Sequence, residues 1–120
     1  MIYYAHCICI YDTEQEKRDI AIIKRLFPNV EILNPNNPEV PEHYKRKGME
    51  YFRELIQEKC SILIFRALPN GRIPAGVAKE IEYAKEYNIP VIELPCYTNF
   101  TNRVMSVEDT RLFLNEIGYR

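Results

Sequence analysis

SILIFRALPNGRIPAGVAKEIEYAKEYNIPVIEL, from Ser61 to Leu94, decides the fold. SILIF is an uninterrupted apolar run, the pattern of a strand covered on both faces. LPNGRIPAG carries a turn signal at Asn70-Gly71. The segment from about Ala75 to Tyr87 repeats apolar residues at helical spacing. IPVIEL then reads as another buried strand. A strand, a helix and a strand in that order require a parallel pair and a right-handed crossover.

The same alternation continues on both sides. Toward the N-terminus, Met49 to Lys59 is a helical segment. NPNNPEVPEHYKRKG, from Asn34 to Gly48, holds Pro35, Pro38 and Pro41 and is expected to be irregular. Long irregular segments of compact domains are often functional. Val30 to Leu33 reads as a short strand. Thr13 with Glu16 forms a capping box, and Ile20, Ile23 and Phe27 follow at helical spacing until Pro28 and Asn29 stop the helix. Ile2 to Ile10 is β-rich, with the strand ending near His6. Toward the C-terminus, Asn102 to Met105 offers a short fifth strand. Ser106 with Asp109 starts a last helix, which Gly118 terminates. The expected architecture is a single domain over 1–120: a three-layer α/β/α, flavodoxin-like fold. Its mostly parallel sheet has four to five strands in the order 2-1-3-4-5. Ligands of such sheets bind beyond the carboxyl ends of the strands, where the strand order reverses.

Composition bounds the function. The chain has 120 residues, 47% of them apolar, with Lys+Arg 16 against Asp+Glu 17 and a net charge of −1. A domain of this size can bury a core without disulfides. The charge balance argues against nucleic acid or an anionic membrane as partner. No apolar run is long enough to span a bilayer, and MIYYAH lacks the basic and apolar regions of a signal peptide. A cytoplasmic location is expected. The Glu- and Lys-rich, Trp-free composition hints at a thermophile. Cys7, Cys9, Cys60 and Cys96 have no zinc-site spacing and read as small buried thiols. In a thermophile an intracellular disulfide is less improbable than usual. Neither a metal nor a cofactor is expected: Walker A, G-x-G-x-x-G and G-x-S-x-G are all missing, and His6 and His43 are isolated.

The helix after the Asn70-Gly71 loop carries Glu80 and Glu82, which helical phase separates. Val77, Ala78, Ile81 and Ala84 mark the inner stripe, and Glu80 falls roughly 60° from Val77 and roughly 40° from Ala84. Lys79, Glu82 and Glu86 lie on the wet side. Glu80 therefore stands on the shoulder of the buried face, near the ligand edge of the sheet. A structural or solvated role and a working acid are both open for it.

GVAKEIEYAKEYNIPV resembles a segment of the nucleoside 2-deoxyribosyltransferases and the related 2′-deoxynucleoside 5′-phosphate N-hydrolases. Gly76, Glu80, Ile81, Tyr83, Ala84, Pro90 and Val91 match that pattern, while Glu82 replaces a small residue. IYYAH resembles the family's first strand, and the element order agrees over Ile2 to Leu94. The resemblance implies a homodimer or higher homo-oligomer, with Tyr119 a candidate contributor to a neighbouring site. It also implies a small-molecule nucleoside or nucleotide as partner, and Glu80 as the nucleophile that attacks the anomeric carbon, in the manner of a retaining glycosidase. A second family acid, on the helix before the third strand, is replaced here by Arg53. Glu54 reaches its place after a one-residue register change. The family's serine-rich phosphate loop is missing; Arg72 could bind a phosphate or be an ordinary exposed arginine. Tyr4, His6 and Cys7 at the end of strand one, Asn34 in the Pro/Asn loop, and Gly76 complete the candidate substrate-binding set. For His6 a satisfied buried histidine is the alternative, and for Asn34 ordinary turn chemistry. Tyr44 and Tyr51 could stack on a base or pack between helices. Besides an enzyme, the sequence admits a nucleotide-binding module that has lost catalysis, or an interaction scaffold with Glu80 paired to Arg53 or Arg72.

Overall fold

The computed structural model describes residues 1–96 and 104–119. The elements are β1 (Ile2–Ala5), α1 (Glu14–Leu26), β2 (Ile32–Leu33), α2 (Val40–Lys47), α3 (Met49–Lys59), β3 (Ile62–Phe65), α4 (Ala75–Glu86), β4 (Val91–Glu93) and α5 (Val107–Glu116). The four strands form one parallel sheet in the order β2-β1-β3-β4. This is the three-layer flavodoxin-like arrangement, with the order reversing between β1 and β3.

Alternation along β1 explains the two cores. Ile2 and Tyr4 point to one face and pack with Ile64, Leu94 and Ile23 of α1. Tyr3 and Ala5 point to the other, with Leu63, Phe65, Ile56 of α3, and Val77, Ile81 and Ala84 of α4. Burial of these side chains on both faces of β1 and β3 supplies the main driving force for the sheet. The caps behave as the sequence requires: Thr13 Oγ accepts from Glu16 N, and Ser106 Oγ accepts from Asp109 N.

Three local expectations change. The segment after Asn34 is not wholly irregular, because Val40–Lys47 is a helix with Pro41 in its first turn. Proline is tolerated there since the first-turn N–H groups have no intrahelical acceptor. β1 ends at Ala5, next to the expected end at His6, and Ile8–Ile10 forms a 3-10 turn. β2 is only two residues long. β4 is an edge strand with Ile92 and Glu93 exposed rather than a buried one. Asn102 and Arg103 of the expected fifth strand lie outside the described residues, and Val104 and Met105 carry no strand.

The cysteines also differ from the expected buried thiols. Cys7 and Cys9 are joined as a disulfide across one residue, with Cα atoms 5.1 Å apart. Cys9 is exposed, and the free Cys60 and Cys96 are half-buried. Among the described residues no helix is long and apolar enough to cross a membrane.

Candidate functional site

The carboxyl edge of the sheet gathers the polar groups, and β1 distributes them to two faces. On the α4 face, Glu80 is buried, with its carboxyl pushed up to about 7 by burial. The neighbouring Tyr3 hydroxyl acts in the opposite direction and favours the ionised form. Tyr3 Oη is itself buried and has no partner in hydrogen-bonding geometry among the described residues, so it stands beside Glu80 without a formed bond. Burial, with Glu80 next to it, holds the Tyr3 phenol well above its ordinary value. It therefore remains a proton-bearing donor. Tyr11, just beyond the 3-10 turn, is raised to about 12 by burial and by the charges of Glu80 and Glu16. No hydrogen bond to the Glu80 carboxylate is formed among the described residues.

On the α1 face the buried acid is compensated. Tyr4 Oη donates to Asp19 Oδ2 at 2.6 Å, and Gln15 Nε2 donates to Asp19 Oδ1 at 2.8 Å. Arg66 Nε donates to Oδ2 at 3.0 Å and Nη2 to Oδ1 at 2.6 Å, a bidentate pair. Arg66 Nη1 donates to the Pro95 carbonyl. His6 stacks on Tyr4 with ring centroids 3.8 Å apart. Its Nδ1 is 3.0 Å from the Tyr4 carbonyl and its Nε2 is 2.8 Å from Glu16 Oε2. Each ring nitrogen of His6 thus faces an oxygen acceptor, and the ring is held in place from both sides. Asn36 Nδ2 bridges Glu16 and Asp12.

The structure thus brings Tyr4 and His6 together, with both side chains engaged in this network. Cys7 is held in the disulfide. Asn34 accepts from Asn36 N at 2.9 Å through its side chain, the turn chemistry expected of it. Gly76 lies near the start of α4, and a Cβ added there would meet nothing within 4 Å. Arg72 is exposed on its loop. Glu54 is not part of the Glu80 surroundings: its carboxylate pairs with Lys47 at 2.8 Å. Arg53 turns to α4, reaching Glu86 at 2.6 Å and Tyr87 Oη at 2.9 Å. The scaffold arrangement in which Arg53 pairs with Glu80 is therefore not formed. Glu82 is exposed and pairs with Lys79. Tyr51 stacks on His43, and Tyr44 packs against Phe52.

A cleft of about 230 Å³ opens between the ends of β1, β3 and β4, with Ile10, Gln15, Arg66, Ala67 and Cys96 among its walls. It sits at the crevice where the strand order reverses. Sequence reading missed Asp19, Arg66, Tyr3 and Tyr11. Two signals could have found the first pair. Arg66 is a charge directly following a buried strand. Asp19 stands four residues before Ile23, on the helix stripe that the core claims.

Comparison with known proteins finds no matching family model, curated protein or solved structure.

Proposed function

We propose that this chain breaks the N-glycosidic bond of 2′-deoxynucleosides or their 5′-monophosphates, with Glu80 as nucleophile. The observation that carries the reading is Glu80 itself. It is a buried carboxylate without a salt-bridge partner among the described residues, at the ligand edge of the sheet, beside an unpartnered Tyr3 hydroxyl. A residue kept only for stability would be expected to have its charge compensated, as Asp19 does.

In the proposed reaction an oxygen of the ionised Glu80 attacks C1′. The C1′–N bond breaks, and its electron pair leaves with the base, which takes up a proton. Water then attacks C1′, loses a proton to solvent and frees the carboxylate; a second base in place of water gives exchange. The low-dielectric surroundings of Glu80 strengthen its interaction with the oxocarbenium-like transition state. Tyr3 is suited to hold and orient the carboxylate through its O–H. Gly76, one turn ahead on α4, leaves open space through which a sugar can approach. Arg72 is available for a 5′-phosphate. Tyr119 and the exposed apolar side chains Leu112 and Phe113 of α5 and Ile117 just after it favour a homo-oligomer in which a second copy covers them.

A second reading is a nucleotide-binding module without turnover. It is favoured by one observation: Glu54, the candidate second acid, is committed to Lys47. Incubation of the protein with deoxynucleosides and their monophosphates separates the two. Free base released by the wild type and lost in Glu80→Gln supports the enzyme, whereas ligand affinity without release supports the module.

A further inference from the structure

The cleft at the ends of β1, β3 and β4 has walls that are mostly apolar and one charged side chain, Arg66, which is 4% exposed. A guanidinium has five N–H groups. Three of the Arg66 N–H groups are used, by the two Asp19 oxygens and the Pro95 carbonyl. That leaves two, one on each terminal nitrogen, without an acceptor among the described residues. Asp19 already balances the charge of Arg66, so an anion entering the cleft would lose hydration with little Coulombic return. A neutral ring with two adjacent acceptors meets the unused donors without that cost. The volume of about 230 Å³ is below the range of whole-ligand pockets, roughly 300–1,000 Å³. It suits one planar ring system rather than a complete nucleotide.

From this we infer that the cleft is a base-binding subsite that selects 6-oxopurines, with Arg66 donating to the adjacent O6 and N7 acceptors. The pairing of an arginine fork with these two atoms is geometrically matched. Adenine presents an N–H₂ donor in place of O6 and leaves one Arg66 donor unpaired. The apolar walls cover the ring faces, and the Gln15 carbonyl oxygen, which has no donor among the described residues, can accept from a ring N–H. The inference rests on the proposed function for its place in a reaction, but binding of the free base requires no turnover.

The two free cysteines allow a test in the unmodified protein. Cys96 lines the cleft and Cys60 does not. Alkylation by iodoacetamide is followed at each cysteine by peptide mass spectrometry, with hypoxanthine, guanine, adenine or benzoate present. Calorimetry measures affinity in parallel. Hypoxanthine and guanine are expected to slow alkylation at Cys96 and leave Cys60 unchanged. Adenine should bind about 10-fold or more weakly, in keeping with roughly 1–3 kcal/mol for a bidentate contact. Equal protection by adenine, preferential protection by benzoate, or no protection at Cys96 by hypoxanthine overturns the inference. Protection by hypoxanthine without base release from any deoxynucleoside keeps this subsite and removes the proposed glycosidase activity.

Discussion

Tyr3 and Tyr4 are adjacent on β1, and each faces a buried carboxylate, yet the two faces are built differently. Tyr4 donates to Asp19, which also receives two Arg66 bonds and one from Gln15. Tyr3 stands beside Glu80, and neither group has a completed hydrogen bond among the described residues. One face compensates its acid; the other keeps a bare acid whose proton is held up to about pH 7. Burial alone does not explain the difference, since Glu80 is 7% exposed and Asp19 fully buried. A compensated buried charge suits structure, and an uncompensated one at a ligand edge suits chemistry.

Substitution of each acid should break this contrast most strongly. Glu80→Gln is expected to lower base release by at least about 10³-fold, the scale on which a covalent nucleophile acts. The folded protein should be preserved, with denaturant unfolding at pH 8 giving a stability equal to or above the wild type. Asp19→Ala should cost about 3–5 kcal/mol in the same unfolding measurement, because it strands Arg66 as a buried unpaired charge. A tolerated Asp19→Ala would remove the structural half of the comparison.

The pH dependence of stability follows from the raised carboxyl. Glu80 titrates near 4.5 in its ordinary environment and near 7 when folded. Between these values the folded protein holds a proton that the unfolded chain has lost. Stability due to Glu80 is thus greatest below about pH 4.5, falls as pH rises, and is fully lost above about pH 7. The whole change is about 3 kcal/mol. The difference between wild type and Glu80→Gln, followed across that window, isolates it. Catalysis has the opposite slope: the nucleophile must be ionised, so base release should rise with pH to a plateau above about 7.

Smaller effects come from the two hydroxyls. Tyr4→Phe removes a bond to an ionised carboxylate and should cost about 1.5–3 kcal/mol. Tyr3→Phe removes an unpartnered hydroxyl, so stability should change by less than about 1 kcal/mol. It also removes the group that favours ionised Glu80, so the activity midpoint should move to higher pH. A Tyr3→Phe variant as unstable as Tyr4→Phe would mean that the two faces are not distinct.

Much of the fold was legible because local signals and global pattern agreed. SILIF and the following helix dictated a parallel unit, the Thr13 and Ser106 caps fixed helix starts, and crossover geometry narrowed the topologies to a few that include the order β2-β1-β3-β4. Helical phase separated buried Glu80 from exposed Glu82. α2 was not legible, because prolines were read as breakers even though Pro41 occupies a first turn that tolerates it. The Asp19–Arg66 pair was not legible either. Its residues are 47 apart in sequence, and only the packing of α1 across β3 brings them together. The exchange of Glu54 for a Lys47 partner depends on how α2 meets α3, which no pattern in either helix encodes.

The central claim is that the bare carboxylate on the Tyr3 face forms a bond to the sugar. Acid quenching during turnover of a deoxynucleoside, followed by tryptic digestion, isolates the peptide from Glu80 to Lys85. The account predicts a deoxyribosyl adduct on this peptide, placed on Glu80 by fragmentation and missing in Glu80→Gln. Base release that continues undiminished in Glu80→Gln, with the peptide unmodified, would contradict it.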